Sequence, residues 1–129
     1  MKTSFYLTAC CVIFLSLFLV WKKFEVYDHG MNISVTENYD SYQFSANYNA
    51  ENTARVQSYI NSCLSPNNLF QSENDYMDIT TTLSDRTTFY IKESPGRLKI
   101  KLDKPGNSFN SYMRIKKMCE GIKNVLAGK

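Results

Sequence analysis

Histidine, glycine and proline are scarce in this chain of 129 residues, which contains one histidine, five glycines and three prolines. The single histidine, His29, leaves the rest of the chain without an imidazole base for a Ser-His-Asp or Cys-His arrangement. Cys-x-x-Cys pairs, calcium-binding loops and glycine-rich phosphate loops are also missing from the sequence. We therefore predict a protein that is not an enzyme and that holds neither a metal nor a cofactor.

Basic residues are nearly absent from Phe24–Asp85, where Arg55 stands against nine acids. The balance reverses in Arg86–Lys129, which has eleven basic residues and three acids. Two interpretations stay open. The fold either keeps the halves apart as an acidic side and a basic side, or it interleaves them so that their charges neutralise each other.

The longest stretch without a charged residue is Thr3–Trp21, with nineteen residues. A helix of this length rises by about 28 Å, close to the ~30 Å hydrocarbon core of a bilayer. Trp21 and the following Lys22 and Lys23 are typical of a membrane–water boundary. We therefore predict that residues 1–23 form a transmembrane helix. The alternative is a cleaved signal peptide, although bulky and charged residues stand where a cleavage site needs small ones.

The remaining chain is predicted to form a stalk and one domain. Residues 24–31 are assigned to a short stalk, and residues 32–129 suffice for one core but not for two. An aromatic content of 14% and a hydrophobic content of 43% indicate a folded chain. Because short N-terminal tails usually accompany export of the following domain, we expect this domain on the exported side, periplasmic or extracellular.

Alternating apolar and polar residues predict four to five short strands in this domain. The predicted strands are Ile33–Val35, Tyr42–Tyr48, Met77–Leu83, Thr87–Lys92 and Arg97–Leu102. Apolar residues at helical spacing predict two helices, one capped by Asn49 and one beginning at the cap Ser108. The fold class is therefore α+β, a small antiparallel sheet with both helices packed on one face.

The second face of such a sheet must stay open, and we predict that it carries the binding site. The candidate binding residues project together from two neighbouring strands: Tyr90, Lys92, Arg97, Lys99 and Lys101. A basic strip of this kind suits an acidic protein or an anionic polymer. The competing interpretation is defensive, since lysines on a strand also prevent edge-to-edge aggregation.

Cys63 and Cys119 fall on the apolar stripes of the two predicted helices. If the helices are neighbours, the two cysteines can form a disulfide in an oxidising compartment, worth about 3–4 kcal/mol. Equally, each can serve as a small buried hydrophobe. Both interpretations stay open.

Together these features predict a small membrane-anchored accessory protein whose exported domain binds a protein partner. An immunity or inhibitor protein is one specialised version. The alternative is an envelope module that binds a ligand or a polymer on the Thr/Tyr/Lys face. Nucleic acid is not expected as a partner, because the domain is tethered to a membrane and nearly neutral in total.

Overall fold

The computed structural model describes the backbone of residues 22–28 and all of residues 31–71 and 76–128. The strands in these residues are β1 (Lys22–Asp28), β2 (Met31–Glu37), β3 (Ser41–Asn47), β4 (Met77–Thr82), β5 (Thr88–Ser94) and β6 (Arg97–Asp103). The helices are α1 (Thr53–Leu64) and α2 (Phe109–Leu126), preceded by short 3-10 turns at Ala50–Asn52 and Lys104–Gly106.

The described strands form one sheet in the order β1-β2-β3-β6-β5-β4, and every neighbouring pair is antiparallel. One end of the sheet holds the start of β1, the β2–β3 turn, the end of β6 and the β4–β5 turn; we call it the Lys22 end. The opposite end holds the end of β3, the β5–β6 turn and the start of β4; we call it the Gly96 end. These two ends differ in what they expose.

One face of the sheet and one side of each helix build the core. Along β6, buried Leu98, Ile100 and Leu102 alternate with exposed residues, so the strand has one inward and one outward face. The other fully buried large side chains include Phe44, Val56, Ile60, Phe89, Ile91, Ile115 and Ile122. Burying each such side chain contributes about 1.5–3 kcal/mol, and this burial fixes which face the helices cover.

The two helices cross the sheet in opposite directions. At the Gly96 end, the Gly96 amide donates to Thr53 Oγ1 at 3.0 Å, and Arg55 Nη2 donates to the Val125 carbonyl at 3.0 Å. Ser108 caps α2 at the Lys22 end by accepting from the Ser111 amide at 3.0 Å, which confirms the predicted cap. Asn49 makes no such side-chain bond, so the predicted cap there is wrong.

The prediction of an α+β fold is confirmed: an antiparallel sheet packs against two helices. Residues 24–31 were assigned to a stalk; in the structure the backbone of residues 22–28 forms β1 and pairs with β2 over its whole length. This strand brings the described sheet to six strands, more than the four to five predicted. Its sequence signal was the alternation of Phe24 and Val26 with Glu25 and Tyr27.

The predicted transmembrane helix falls on Thr3–Trp21, which lies outside the described residues. Within the described part of the chain, neither helix combines the length and the apolar character that a membrane crossing requires.

Candidate binding face

The face of the sheet opposite the helices, the open face, carries polar side chains along β2 to β6. The strands β3, β6 and β5 contribute four residues each to this face: Ser41, Gln43, Ser45 and Asn47 from β3, Arg97, Lys99, Lys101 and Asp103 from β6, and Thr88, Tyr90, Lys92 and Ser94 from β5. This composition follows from strand geometry, since every second residue of a strand points away from the core.

The registers of these strands arrange the open face in cross-strand rows. The middle row is Ser45, Lys99, Lys92 and Asp78, flanked by a row of Asn47, Arg97 and Ser94 and a row of Gln43, Lys101, Tyr90 and Thr80. Neighbours within a row have Cβ atoms about 5 Å apart, and successive rows are about 7 Å apart. The open face is thus a regular array of polar side chains, with Lys99 and Lys92 in the middle of the central row.

All five candidate binding residues lie in this array. Tyr90 and Lys92 come from β5, and Arg97, Lys99 and Lys101 come from β6. The four cations are exposed to solvent, and Tyr90 is half-buried. The structure therefore brings the predicted set together, while its binding role remains a prediction.

Tyr90 is oriented by its neighbour on β4. Its hydroxyl donates to Asp78 Oδ1 at 2.7 Å. This hydrogen bond to a carboxylate raises the pKa of the Tyr90 phenol, so the group remains a neutral donor. The same bond occupies one oxygen of Asp78, the acid that stands opposite Lys92 in the register.

Lys92 and Lys99 stand directly opposite each other on neighbouring strands. Like charges in this position destabilise a sheet, by a few tenths to about 1 kcal/mol. Among the described residues, neither lysine has a carboxylate within salt-bridge distance, and the same holds for Arg97 and Lys101. The centre of the open face therefore carries a local electrostatic cost that a bound anion would relieve.

Two shallow depressions lie on the open face. One, of about 310 Å³, is lined by residues that include Ser45, Asn47, Lys92, Arg97 and Lys99. The other, of about 220 Å³, is bordered by Thr80, Thr88, Tyr90 and Lys101. Small-molecule sites are clefts of about 300–1,000 Å³ that bury most of their ligand. These open depressions suit side chains of a macromolecule better than a whole small ligand.

The acidic and basic halves of the chain interleave on the helix side of the molecule. Glu37 accepts from Lys104 Nζ at 2.8 Å, and Asp85 accepts from Arg114 Nη1 at 2.7 Å. On the open face the β3 residues on one side of the basic strip of β6 are uncharged from Gln43 to Asn47, and on the other side Asp78 of β4 stands opposite Lys92.

A cluster around Glu37 escaped the sequence analysis. Its carboxylate accepts from Lys104 and from the hydroxyl of Tyr112, and Lys116 Nζ lies 3.7 Å from its second oxygen. The ammonium groups of Lys104 and Lys116 lie 4.8 and 5.6 Å from the centroid of the Tyr112 ring, in cation–π geometry. The cluster joins β2 to the start of α2 at the Lys22 end.

The electrostatics of this cluster favour a charged Glu37. Burial raises the pKa of Glu37, but the hydrogen bonds from Lys104 and Tyr112 and the charges of Lys104 and Lys116 lower it more, so the pKa lies below its ordinary value. Burial and the hydrogen bond to Glu37 raise the pKa of Tyr112. Because Lys104 and Lys116 are already paired with Glu37, the cluster stabilises the contact between β2 and α2 and is not a site for an anion.

Cys63 and Cys119 are both free thiols in the structure. The disulfide, one of the two interpretations left open by the sequence, is not formed. Cys119 is completely buried, and burial raises the pKa of its thiol, whereas Cys63 is half-buried. Both therefore match the interpretation of cysteine as a small hydrophobe between sheet and helices.

The described residues contain no group of three or more His, Cys, Asp or Glu side chains that could hold a metal ion. His29 lies outside them. Comparison of the chain with protein-family models, with curated proteins and with solved structures finds no match.

Proposed function

We propose that this chain is a small membrane-anchored binding protein without enzymatic activity, whose exported domain uses the open face to bind an acidic protein partner. The observation that carries the proposal is the opposed pair Lys92 and Lys99, which has no carboxylate within salt-bridge distance among the described residues. An acidic group from a partner would convert this repulsion into two attractive contacts.

The anchor part of the proposal is supported by the sequence of Thr3–Trp21, whose length and lack of charge suit a membrane span. The preference for a protein over a small ligand is supported by the shallow relief of the open face. A flat polar surface with a charged centre contributes more to partner choice and association rate than to raw affinity. An immunity or inhibitor protein that covers a charged surface of its target is one role of this kind.

A matched pair of charge reversals tests the proposal. Lys99→Glu reverses one charge at the centre of the open face, and Lys117→Glu makes the same change at an exposed position of α2 on the helix side. Full-length protein in detergent, carrying either substitution, is used to capture partners from membranes of the source cells. We expect Lys99→Glu to lose an acidic partner that the wild type and Lys117→Glu both retain.

The other outcomes are equally informative. If both variants retain the partner, the open face is not the contact. If both lose it, the interaction depends on total charge and not on a site. Binding of a polyanion such as polyphosphate to the wild type but not to Lys99→Glu, with no protein captured, would instead favour the polymer-binding function.

A further inference from the structure

Two strongly exposed aromatic side chains lie at the Lys22 end of the sheet. Tyr39, in the β2–β3 turn, is 71% exposed, and Phe109, the first residue of α2, is 72% exposed. Large apolar side chains at such exposure are rare in this domain, where the described core is otherwise closed. Only Tyr76 and Ile79, at and near the start of β4, join them among the described residues.

A chain of contacts connects the β2–β3 turn, which contains Tyr39, with Phe109. The amide of Lys104 donates to the carbonyl of Asp40, next to Tyr39, at 2.8 Å. The ammonium group of Lys104 lies over the ring of Tyr112, whose centroid is 6.0 Å from that of Phe109. Tyr39, Lys104 and Phe109 therefore lie at the same end of the sheet, and we call them the aromatic patch.

The start of the sheet lies at this same end. Lys22 is the first residue of β1 and pairs with Glu37, two residues before Tyr39. Since β1 begins directly after Thr3–Trp21, no linker separates the uncharged segment from the folded domain. If that segment crosses a bilayer, its end at Trp21 brings the Lys22 end of the sheet to the membrane–water boundary.

We infer that the aromatic patch contacts the interfacial layer of the membrane in which the chain is anchored, so that the domain stands on its Lys22 end. This inference rests on the anchor part of the proposed function. Tyrosine and other aromatic residues are favoured at this boundary, where a ring meets acyl chains and a polar group stays wet.

The charges around the patch indicate that ring insertion and not lipid charge drives the contact. Exposed Asp40 and Asp103 flank Lys104, so the aromatic patch itself carries no excess of positive charge. An anionic-lipid site would need a cluster of unpaired cations. We therefore expect the contact to form on zwitterionic lipid and to be insensitive to salt.

Quenching of tryptophan fluorescence by brominated acyl chains tests the inference. Trp21 is the only tryptophan of the chain, so it reports on the anchor in the wild type. In a Trp21→Phe background, Tyr39→Trp or Phe109→Trp then places a single probe on the aromatic patch. Tyr76→Trp is the matched control, because Tyr76 is a 79% exposed tyrosine at the opposite, Gly96 end.

Each full-length protein is reconstituted into phosphatidylcholine vesicles with bromine at a shallow position of the acyl chains. We expect Trp21 and the probes at positions 39 and 109 to lose emission and shift to the blue, while the probe at position 76 keeps the emission it has without bromine. All three substitutions exchange one exposed aromatic residue for another, so none threatens the fold.

Four results would overturn the inference, and they can be told apart. Quenching of Trp21 without quenching at positions 39 and 109 would keep the anchor and reject the contact, as would equal quenching at position 76. Absence of quenching at Trp21 would reject the anchor, and the inference with it. A patch that binds a second copy of the chain would protect positions 39 and 109 from aqueous iodide without any bromine effect, which also rejects the membrane contact.

Discussion

Gly121 of α2 lies directly against the side chain of Tyr59 on α1. A Cβ atom at this position would lie 1.6 Å from Oη, 2.4 Å from Cζ and 2.9 Å from Cε2 of Tyr59 on α1. These atoms form the edge of a rigid ring, so the whole Tyr59 side chain must move to admit a methyl group. Gly121→Ala therefore tests how tightly the helix layer is packed.

Two opposing free-energy terms decide the effect of Gly121→Ala on stability. Alanine in place of glycine inside a helix contributes about 1 kcal/mol of stability. Overpacking of a filled contact costs about 1–3 kcal/mol. We expect a net loss of about 1 kcal/mol from the free energy of unfolding in the wild type. In a Tyr59→Ala background the obstacle is gone, and the same substitution should stabilise the protein by about 1 kcal/mol.

The assay is urea unfolding of the wild type, both single variants and the double variant, followed by far-ultraviolet circular dichroism in detergent. The difference between the two effects of Gly121→Ala is the coupling energy, expected at about 1–3 kcal/mol. Tyr59→Phe is the control, since it removes Oη but leaves Cζ and Cε2 in place and should relieve only part of the clash. A stabilising effect of equal size in both backgrounds would refute the close approach.

Three further predictions concern single groups. Glu37→Gln should lower the free energy of unfolding at pH 7 by about 2 kcal/mol, the usual contribution of hydrogen bonds to a charged group. Because the pKa of Glu37 is lowered in the folded state, the wild type should lose this advantage as the pH falls below that pKa. A difference between the two proteins that stays constant down to pH 2 would contradict this prediction. Lys99→Gln should raise the free energy of unfolding by about 0.2–1 kcal/mol at low salt, because it removes the repulsion with Lys92. The gain should disappear in about 1 M salt. A loss of stability would show that the two lysines do not repel each other in the folded protein. Iodoacetamide should alkylate Cys63 in the native protein and Cys119 only after unfolding, as read by mass spectrometry without reductant; protection of both after unfolding would indicate a disulfide.

The strands that were predicted correctly share one property: their alternation persists over the whole strand. β6 is the clearest case, with Leu98, Ile100 and Leu102 buried and the residues between them exposed. β1 has the same alternation at Phe24 and Val26, but it follows an apolar segment without a break. Its assignment therefore depended on pairing with β2, which is a tertiary fact that no local pattern contains.

The candidate site shows the same division between local and long-range information. The alternation of side chains along each strand was enough to place Lys92, Lys99 and Lys101 on one face of the sheet. The tight turn at Gly96, with its φ of +78°, then sets Lys92 opposite Lys99. By contrast, Glu37 meets Lys104 across a separation of 67 residues, and periodicity says nothing about such a contact. The one local sign of this contact was that Glu37, an acid, occupies an inward-facing position of β2, where it needs a cation as a partner.

The proposed orientation also predicts which cations of the open face remain available to a partner. With the Lys22 end at the membrane and the strands standing upright, distance from the lipid grows by about 3.3 Å per residue along β6. From Asp103, Lys101 lies about 7 Å up the strand, Lys99 about 13 Å and Arg97 about 20 Å. Screening at physiological salt has a length of about 8 Å. Headgroup charge therefore reaches Lys101 but not Lys99 or Arg97, so only a molecule docked on the side of the domain can neutralise the centre of the open face.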